Sequence, residues 1–458
     1  MLDLKSAAQA IGATHTGPNK TFIGVTTDSR QVRDGDLFVA LRGERFDGHA
    51  FVDGAFQMGA AGAMVERDFD AAPGIPLIIV DDSLKALGKL STHWRSRFDL
   101  PLIAITGSNG KTTLKEMLAG VLRAAVGDNA VLATIGNLNN DIGMPLMLLR
   151  LRDQHHYAVI EMGMNHLGEI HYLTELARPS LAVVNNAGIA HIGELGSRDA
   201  IAQAKGEIYA GLSHSGIAVI NADDDYAQLW RDLNSGRRVV EFGIEEPAEV
   251  SAQYELTESG SSISCRTPDG AFQIALQVAG AHNVCNALAA AAVAYALEIA
   301  PEHIAAGLAA YAGTRGRLQR KPARGGAVLI DDTYNANPDS VRAAIAVLAA
   351  VPGKRVLVLG DMGELGADAS ALHGEIGEQA RIAGIDRLFT LGDLSAAAAR
   401  SFGSGAEHFT DVDALCAALE KAIDRDTTML VKGSRFMRME RVIQRFLNGE
   451  QQSADRAH

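Results

Sequence analysis

Residues 102–118 read LIAITGSNGKTTLKEML. Leu102 to Thr106 is a short apolar, β-branched run of the kind that forms a buried strand. TGSNGKTT, residues 106–113, then turns the chain into a helical segment that starts at Thr112. A polyphosphate is held by several backbone N–H donors at close range, and glycine lets the backbone approach. A helix start adds the positive end of its dipole. On this reading Gly107, Ser108, Asn109, Gly110 and Thr113 form a phosphate loop, with the amides around Ser108 and Asn109 as its cradle. Lys111 lies between the β- and γ-phosphates, and the Thr112 hydroxyl reaches a magnesium ion. The common loop has a glycine five residues before Gly110, where this chain has Ile105, so the loop is short.

Working outward, HYAVIEMG (156–163), LAVVNNAG (181–188) and GIAVINADDD (216–225) are buried-type strands that end in polar residues. Helical stretches between them imply right-handed crossovers and a mainly parallel sheet. Residues 250–278 alternate polar and apolar, with turns at 258–260 and 268–270, and predict antiparallel hairpins at a sheet edge. The helix AHNVCNALAAAAVAYALEI (281–299) follows. From about Gly313 four more strands, within VLIDDTY, KRVLVLGD, DRLFTLGD and TTMLVKGS, alternate with Ala-rich helices in a Rossmann-like pattern. Before residue 82, TFIGVTT, GDLFVAL and PLIIV predict strands and 49–62 a helix; 83–98 predicts a helix leading into the next unit. The expected fold is α/β in three domains, 1–82, 83–312 and 313–458, the last ending in a solvated tail at 448–458.

The net charge of -13 argues against a broad nucleic-acid surface, while a local basic pocket can still bind an anion. Cys265, Cys285 and Cys416 show neither disulfide nor zinc spacing, which suits a reducing compartment. No apolar run is long enough to span a bilayer and no leader opens the chain. A cytoplasmic location, no membrane insertion and a monomer are expected.

Several polar residues stand at strand ends, where open parallel sheets gather ligands. Glu161 could hold magnesium or simply cap a helix. His191 lies in a Gly-rich loop, open to a ligand or merely to solvent. Lys205 is either a solvated helix residue or a group that neutralises phosphate or carries a modification. Arg315 and Arg317 could reach a γ-phosphate from another domain or belong to a basic linker. Asp332, Tyr334, Asn335 and Asn337 form a dense polar turn before Pro338, for binding or for capping. Asp361 and Glu364 repeat the strand-to-loop pattern.

Taken in order along nearly the whole chain, TGSNGKTT, EMGMNHLGEI, NNAGIAHIGELGS, the Lys205 segment, HNVCNALAA, GTRGRLQ and DDTYNANP resemble the motifs of the Mur ligase family. The resemblance implies an ATP- and Mg²⁺-dependent enzyme that forms an amide through an acyl-phosphate. DDTYNANPDS, LGDMGELG and VKGSRFMRME imply UDP-N-acetylmuramoyl-tripeptide and D-alanyl-D-alanine as its substrates. It assigns Thr112, Glu161 and His191 to metal, and matches Lys205 to a lysine carbamylated in several members. Lys111, Glu161, His191 and Lys205 form the implied catalytic set. Asn283, with Asn286 nearby, would meet the adenine; Arg315 or Arg317 the terminal phosphate; Asn335 the nucleotide. Asn337 and the segment from Lys432 to Arg438 would help place the dipeptide. TTDSRQVRDGDLFVALRGERFDGHAF resembles a uridine-nucleotide module, with Ser29, Arg30, Arg42, Asp47, Gly48 and His49 as contacts. Another ligase of the same family adding a different amino acid, folylpolyglutamate synthase, and a non-catalytic ATP switch are the competing expectations.

Overall fold

The computed structural model describes residues 1–447 apart from 45, 71–73 and 258–259. The tail expected at 448–458 and most of the turn expected at 258–260 lie outside the described residues. Three sheets, of five, nine and six strands, follow one another along the chain.

The first sheet runs in the order Thr14–Thr16, Leu77–Val80, Gly62–Glu66, Asp36–Val39, Gly24–Thr26, parallel except for its first pair. One expectation needs correction here. The helix foreseen over 49–62 is a single 3-10 turn, Gly48–Phe51, and a short helix, Val52–Gln57. Gly59 sits at a φ of 102°, which a continuing helix cannot use, and Gly62–Glu66 then enters the sheet as a nearly fully buried strand. Continuous apolar content, Ala60 to Val65, suits a parallel strand covered on both faces better than an amphipathic helix.

Helix Ser83–Arg95, capped by Asp82, joins the first two units. It serves both cores, since its Ala86, Leu87, Leu90 and Trp94 share one apolar cluster with Leu4 and Met64 on one side and Leu102 and Met144 on the other. Trp94 Nε1 donates to Leu151 O at 3.1 Å, and the buried Arg95 guanidinium donates to the carbonyls of Ala177, Phe98 and Leu100.

The central sheet places Leu102–Thr106 between Tyr157–Glu161 and Leu181–Val184, all parallel. The successive strands step to opposite sides of Leu102–Thr106, so its carboxyl end is the switch point where a crevice opens. Period-two alternation is visible in this one strand: Leu102 and Ala104 enter one core, Ile103 and Ile105 the other. The antiparallel edge is present as Val250–Leu256, Ser261–Thr267 and Gly270–Leu276. Arg238–Gly243 and Val131–Ala133 are further strands that the sequence patterns did not single out. The third sheet is parallel across Val328–Asp332, Thr427–Lys432, Lys354–Gly360, Arg387–Leu391 and Ala406–Phe409, with Gln319–Pro322 antiparallel at one edge. Among the described residues no helix is long and apolar enough to cross a membrane.

Helix Lys111–Val126 is packed so closely against helix Pro301–Ala309 that Gly120 and Gly307 face each other. A Cβ on Gly307 would stand 2.3 Å from Val121 Cα and 2.5 Å from its nitrogen. Gly307→Ala therefore meets backbone, which cannot rotate away, and the clash outweighs a helix-propensity gain of about 1 kcal/mol. We expect a net loss of about 1–3 kcal/mol, the range for overpacking, read as a lower urea midpoint. An unchanged midpoint would contradict this helix crossing.

Candidate active site

Strand Leu102–Thr106 is buried throughout and delivers the loop to the sheet's carboxyl edge. Gly110 takes a left-handed φ of 79°, and a Cβ there would lie 2.3 Å from Asn286 Oδ1. Both facts require glycine. Helix Lys111–Val126 begins directly after it, 16 residues long, without a side-chain cap. The amides of Lys111, Thr112 and Thr113 meet no acceptor among the described residues, as the first turn of an uncapped helix dictates. The amides of Ser108 and Asn109, expected to form the cradle, are instead used inside the protein. They donate to Asn186 O and to Asn186 Oδ1, each at 2.9 Å. Those bonds fix the loop, and the donors left for an anion are those of the helix's first turn. Lys111 folds back over the loop, with Nζ 2.6 Å from Gly107 O. Burial lowers its pKa, and the charge of Glu161 opposes that shift.

Glu161, at the end of the neighbouring strand, is 2% exposed, so it is not a surface residue. Its Oε2 accepts from Thr112 Oγ1 at 2.9 Å and its Oε1 from Asn139 Nδ2 at 2.7 Å. Its amide donates to Thr134 Oγ1 at 2.9 Å. Arg317 of the third unit donates to Thr112 Oγ1 at 3.0 Å and lies over the Tyr334 ring, 4.3 Å from its centroid.

Other contacts bring the same unit onto the loops of the central sheet. Asn337 caps helix Pro338–Ala349 and also donates from Nδ2 to Asn109 Oδ1 at 2.8 Å. Asp339 Oδ2 accepts from the amide of Ile189 at 2.9 Å. His191 holds a left-handed φ of 65°, uncommon for a non-glycine residue. Its Nδ1 lies 2.8 Å from Glu364 Oε2, at ion-pair distance but without hydrogen-bond geometry. His191 holds the Glu364 carboxyl below the usual carboxylate range.

These loops enclose a cavity of about 890 Å³, lined by Ser108 to Thr113, Glu161, His191, Asn283, Arg317, Asn335, Asn337 and Lys432 among others. Asn286 lines it too and accepts from Asn185 Nδ2 at 2.8 Å, while Asn185 also donates to Asn109 O. Lys432 is buried, its Nζ held by Asp332 and by Asn335 O. Burial raises the Asp332 pKa and lowers that of neighbouring His282 to about 4.

Gly107, Arg315, Lys205, Asp361, Glu364 and residues 433–438 do not line the cavity. Lys205 is not a solvated helix residue; it is 1% exposed, and burial, reinforced by the charge of Lys111, drives its pKa well down. The N-terminal set also lies elsewhere. Ser29 begins a 3-10 turn capped by Asp28, and Arg30 pairs with that same Asp28 at 2.8 Å. Arg42 is surrounded by Asp47, Glu66 and Asp68. His49 is buried and accepts at Nε2 from the Glu66 amide, which puts its proton on Nδ1, facing Asp47 Oδ1 at 2.6 Å. A Cβ on Gly48 would stand 2.8 Å from Leu41 N and O, so that turn is also a packing requirement.

Sequence reasoning passed over Asn139, Thr134, Asn185 and Asn186. The one available signal was the polar NNAG at a strand end.

Three family descriptions match the chain in order: Mur ligase family, catalytic domain, at residues 21–95; Mur ligase middle domain at 105–294; and Mur ligase, glutamate ligase domain, at 316–435. The chain belongs to the Mur ligase family. Membership makes it an ATP-dependent ligase. It is 43% identical over 431 residues to the UDP-N-acetylmuramoyl-tripeptide–D-alanyl-D-alanine ligase of Escherichia coli K12, covering 93% of this chain and 94% of that one. A crystal structure of MurF from Acinetobacter baumannii superposes with a TM-score of 0.91 at 38% identity, over 96% of this chain and 97% of that one. The MurF ligase of Thermotoga maritima in complex with ADP gives 0.83 at 29% identity, over 94% and 98%. The three-sheet α/β architecture is that of these MurF structures.

Among the described residues the Lys205 side chain has no hydrogen-bonding or ion-pairing partner, so burial of its charged form is uncompensated. Lys205→Met should therefore raise the unfolding free energy near neutral pH, by about 1 kcal/mol or more, the low end for an unpaired buried polar group, while turnover is lost. A lowered folded-state pKa penalises the native protein below that pKa, and the penalty fades as pH rises toward the lysine's ordinary 10.5. The gain should thus shrink with rising pH. Thermal unfolding across a pH series checks both signs.

Proposed function

We propose that this enzyme joins D-alanyl-D-alanine to UDP-N-acetylmuramoyl-tripeptide at the expense of ATP, as a cytoplasmic step of peptidoglycan-precursor synthesis. The observation that carries this reading is identity of 43% across 93% of the chain to an enzyme of that name. The cavity supports it. It combines an uncapped helix start, a lysine, a buried carboxylate and an arginine supplied by another unit.

On this reading the labour divides among three units. Residues 1–82 form the uridine-nucleotide unit, with Ser29, Arg30, Arg42 and the Asp47–Gly48–His49 turn as its contacts. Residues 83–312 carry the ATP site and 313–458 the dipeptide site. Amides of Lys111 to Thr113 and the Lys111 ammonium bind the β- and γ-phosphates. Asn283 and Asn286 meet the adenine and Asn335 the nucleotide. Arg317, beside Thr112, stabilises charge on the transferring phosphoryl group, and Arg315 supports it from the same loop. Asn337 and the segment from Lys432 to Arg438 place the dipeptide.

The donor set fits magnesium. Thr112 Oγ1 and the Glu161 carboxylate are hard oxygen ligands side by side, and magnesium needs only one or two protein oxygens beside phosphate and water. Among the described residues no cluster of three His, Cys, Asp or Glu forms a complete protein cage, which suits that sharing. The buried His191 Nδ1, without a hydrogen-bonding partner, is the group for a second ion. Bound magnesium supplies neutralisation of phosphate charge.

A peptide carboxylate is a poor electrophile because oxide would have to leave. Its oxygen attacks the γ-phosphorus, the bond to ADP breaks, and an acyl-phosphate forms. The dipeptide amine then attacks the acyl carbon, loses a proton, and phosphate departs as the amide closes. Lys205, buried and with its pKa driven down by burial and by the charge of Lys111, is the lysine that carbamylation would modify. The converging loops exclude water from the acyl-phosphate.

ADP release should need both the UDP-muramoyl tripeptide and D-alanyl-D-alanine for sustained turnover. Lys111→Ala should lower kcat by about 10²–10³-fold, the cost of removing one charge-stabilising donor, with an unchanged circular dichroism spectrum. Equal ATP hydrolysis without either substrate, or full activity in the variant, would sink the reading.

A further inference from the structure

Lys115 is one of the largest fully buried side chains, yet nothing in the proposed reaction uses it. It lies one helical turn beyond Thr112, on the same face of helix Lys111–Val126. Its ammonium donates to Thr134 O at 2.8 Å and pairs with Glu116. Thr134 is 1% exposed and stands where strand Val131–Ala133 gives way to the loop that carries Asn139. Its hydroxyl accepts from the amide of Glu161 at 2.9 Å. Thr112, on the turn above, donates to the carboxylate of that same Glu161.

These bonds close a ring. It leaves the helix at Thr112, passes through the Glu161 side chain and backbone to Thr134, and returns to the helix at Lys115. We infer that Lys115 is a positioning residue for the metal-binding oxygens: it fixes Thr134, and through Thr134 the distance between the Glu161 carboxylate and the Thr112 hydroxyl. Asn139, on the loop rooted at Thr134, holds the other carboxylate oxygen and is placed by the same anchor. Any buried ammonium needs acceptors; this one takes the carbonyl of the very residue whose hydroxyl holds the Glu161 amide. A lysine that orients ligand oxygens from behind needs such an acceptor, and partners of this kind are worth about 10–100-fold in metal affinity. The inference rests on the metal site proposed above.

The test is Mn²⁺ binding to the ADP complex, followed by electron paramagnetic resonance, in the wild type, Lys115→Met and Thr134→Val. Thr134→Val keeps the β-branched shape and removes only the hydroxyl. Both variants should bind Mn²⁺ about tenfold more weakly or worse, while ADP affinity measured without metal stays within twofold. Mn²⁺ affinity within twofold of wild type in either folded variant overturns the inference, as does an equal loss of metal-free ADP binding, which marks a general structural role. If Lys115→Met does not fold, Thr134→Val together with Lys115→Arg decides, the arginine retaining a donor and recovering most of the affinity. A wild-type ADP complex that binds no Mn²⁺ would overturn the metal site itself and leave the ring as packing.

Discussion

An α-helix that starts without a cap leaves its first amides without partners, and the rest of this site is arranged around that deficit. At Gly110 the chain enters the helix through a left-handed residue that offers no side-chain acceptor. The amides of Lys111, Thr112 and Thr113 therefore face the cavity as an anion site with the helix dipole behind them. Lys111 adds a full positive charge and Glu161 a negative one, both with restricted access to water. Charges placed this way interact strongly with whatever enters, because little solvent remains to screen them. The same restriction makes the ligand-free site costly. Asparagine amides and backbone carbonyls offset that cost by tying up the remaining loop groups.

The sequence made the strand–loop–helix unit legible because each of its parts has a local cause. An apolar run, two glycines and a lysine need no tertiary information to be read. Glu161 was legible as a strand-end carboxylate, but its burial was not, since burial depends on Asn139 and Thr134 from a different crossover. The cradle was placed one step too early for a similar reason. Ser108 and Asn109 look like free donors in one dimension; Asn186, 77 residues from Asn109, takes up both amides in three. The helix expected over 49–62 failed because periodicity cannot separate a short helix from a strand buried on both faces when Ala and Gly dominate. Lys205 was misjudged in its bland form by the same logic: a lysine on a helix reads as solvated until a second layer covers it.

Two glycines in this site show how function and packing share one residue. Gly110 is needed for its backbone angle and for room beside Asn286. Gly188 has no positive angle; a Cβ there would stand 2.4 Å from Asp339 Oδ2, so it is required by the approach of the third unit. A glycine in a loop read from sequence as open to a ligand lies, at the second position, against another unit of the same chain. The third unit's contribution was legible as arginines and asparagines but not as contact, because nothing local tells a chain that Asn337 will meet Asn109.

Among the described residues, polar contacts between the third unit and the loops of the central sheet include Arg317 to Thr112, Asn337 to Asn109, Asp339 to the Ile189 amide, the Gly193 amide to Glu364 O, and Glu364 beside His191. A net hydrogen bond contributes about 0.5–1.5 kcal/mol, so such a set holds the units together without locking them. An apolar interface of similar size would be harder to reopen. That matters for a site proposed to admit two large substrates and a nucleotide and then to shed water. Three of these contacts also involve residues proposed to bind ligands: Arg317 with Thr112, Asn337 with Asn109, and His191 with Glu364. An arriving phosphate would compete with the bond between Arg317 and Thr112 and offer the guanidinium a stronger, charged partner in exchange. The contacts between the units and the proposed ligand contacts therefore draw on the same side chains.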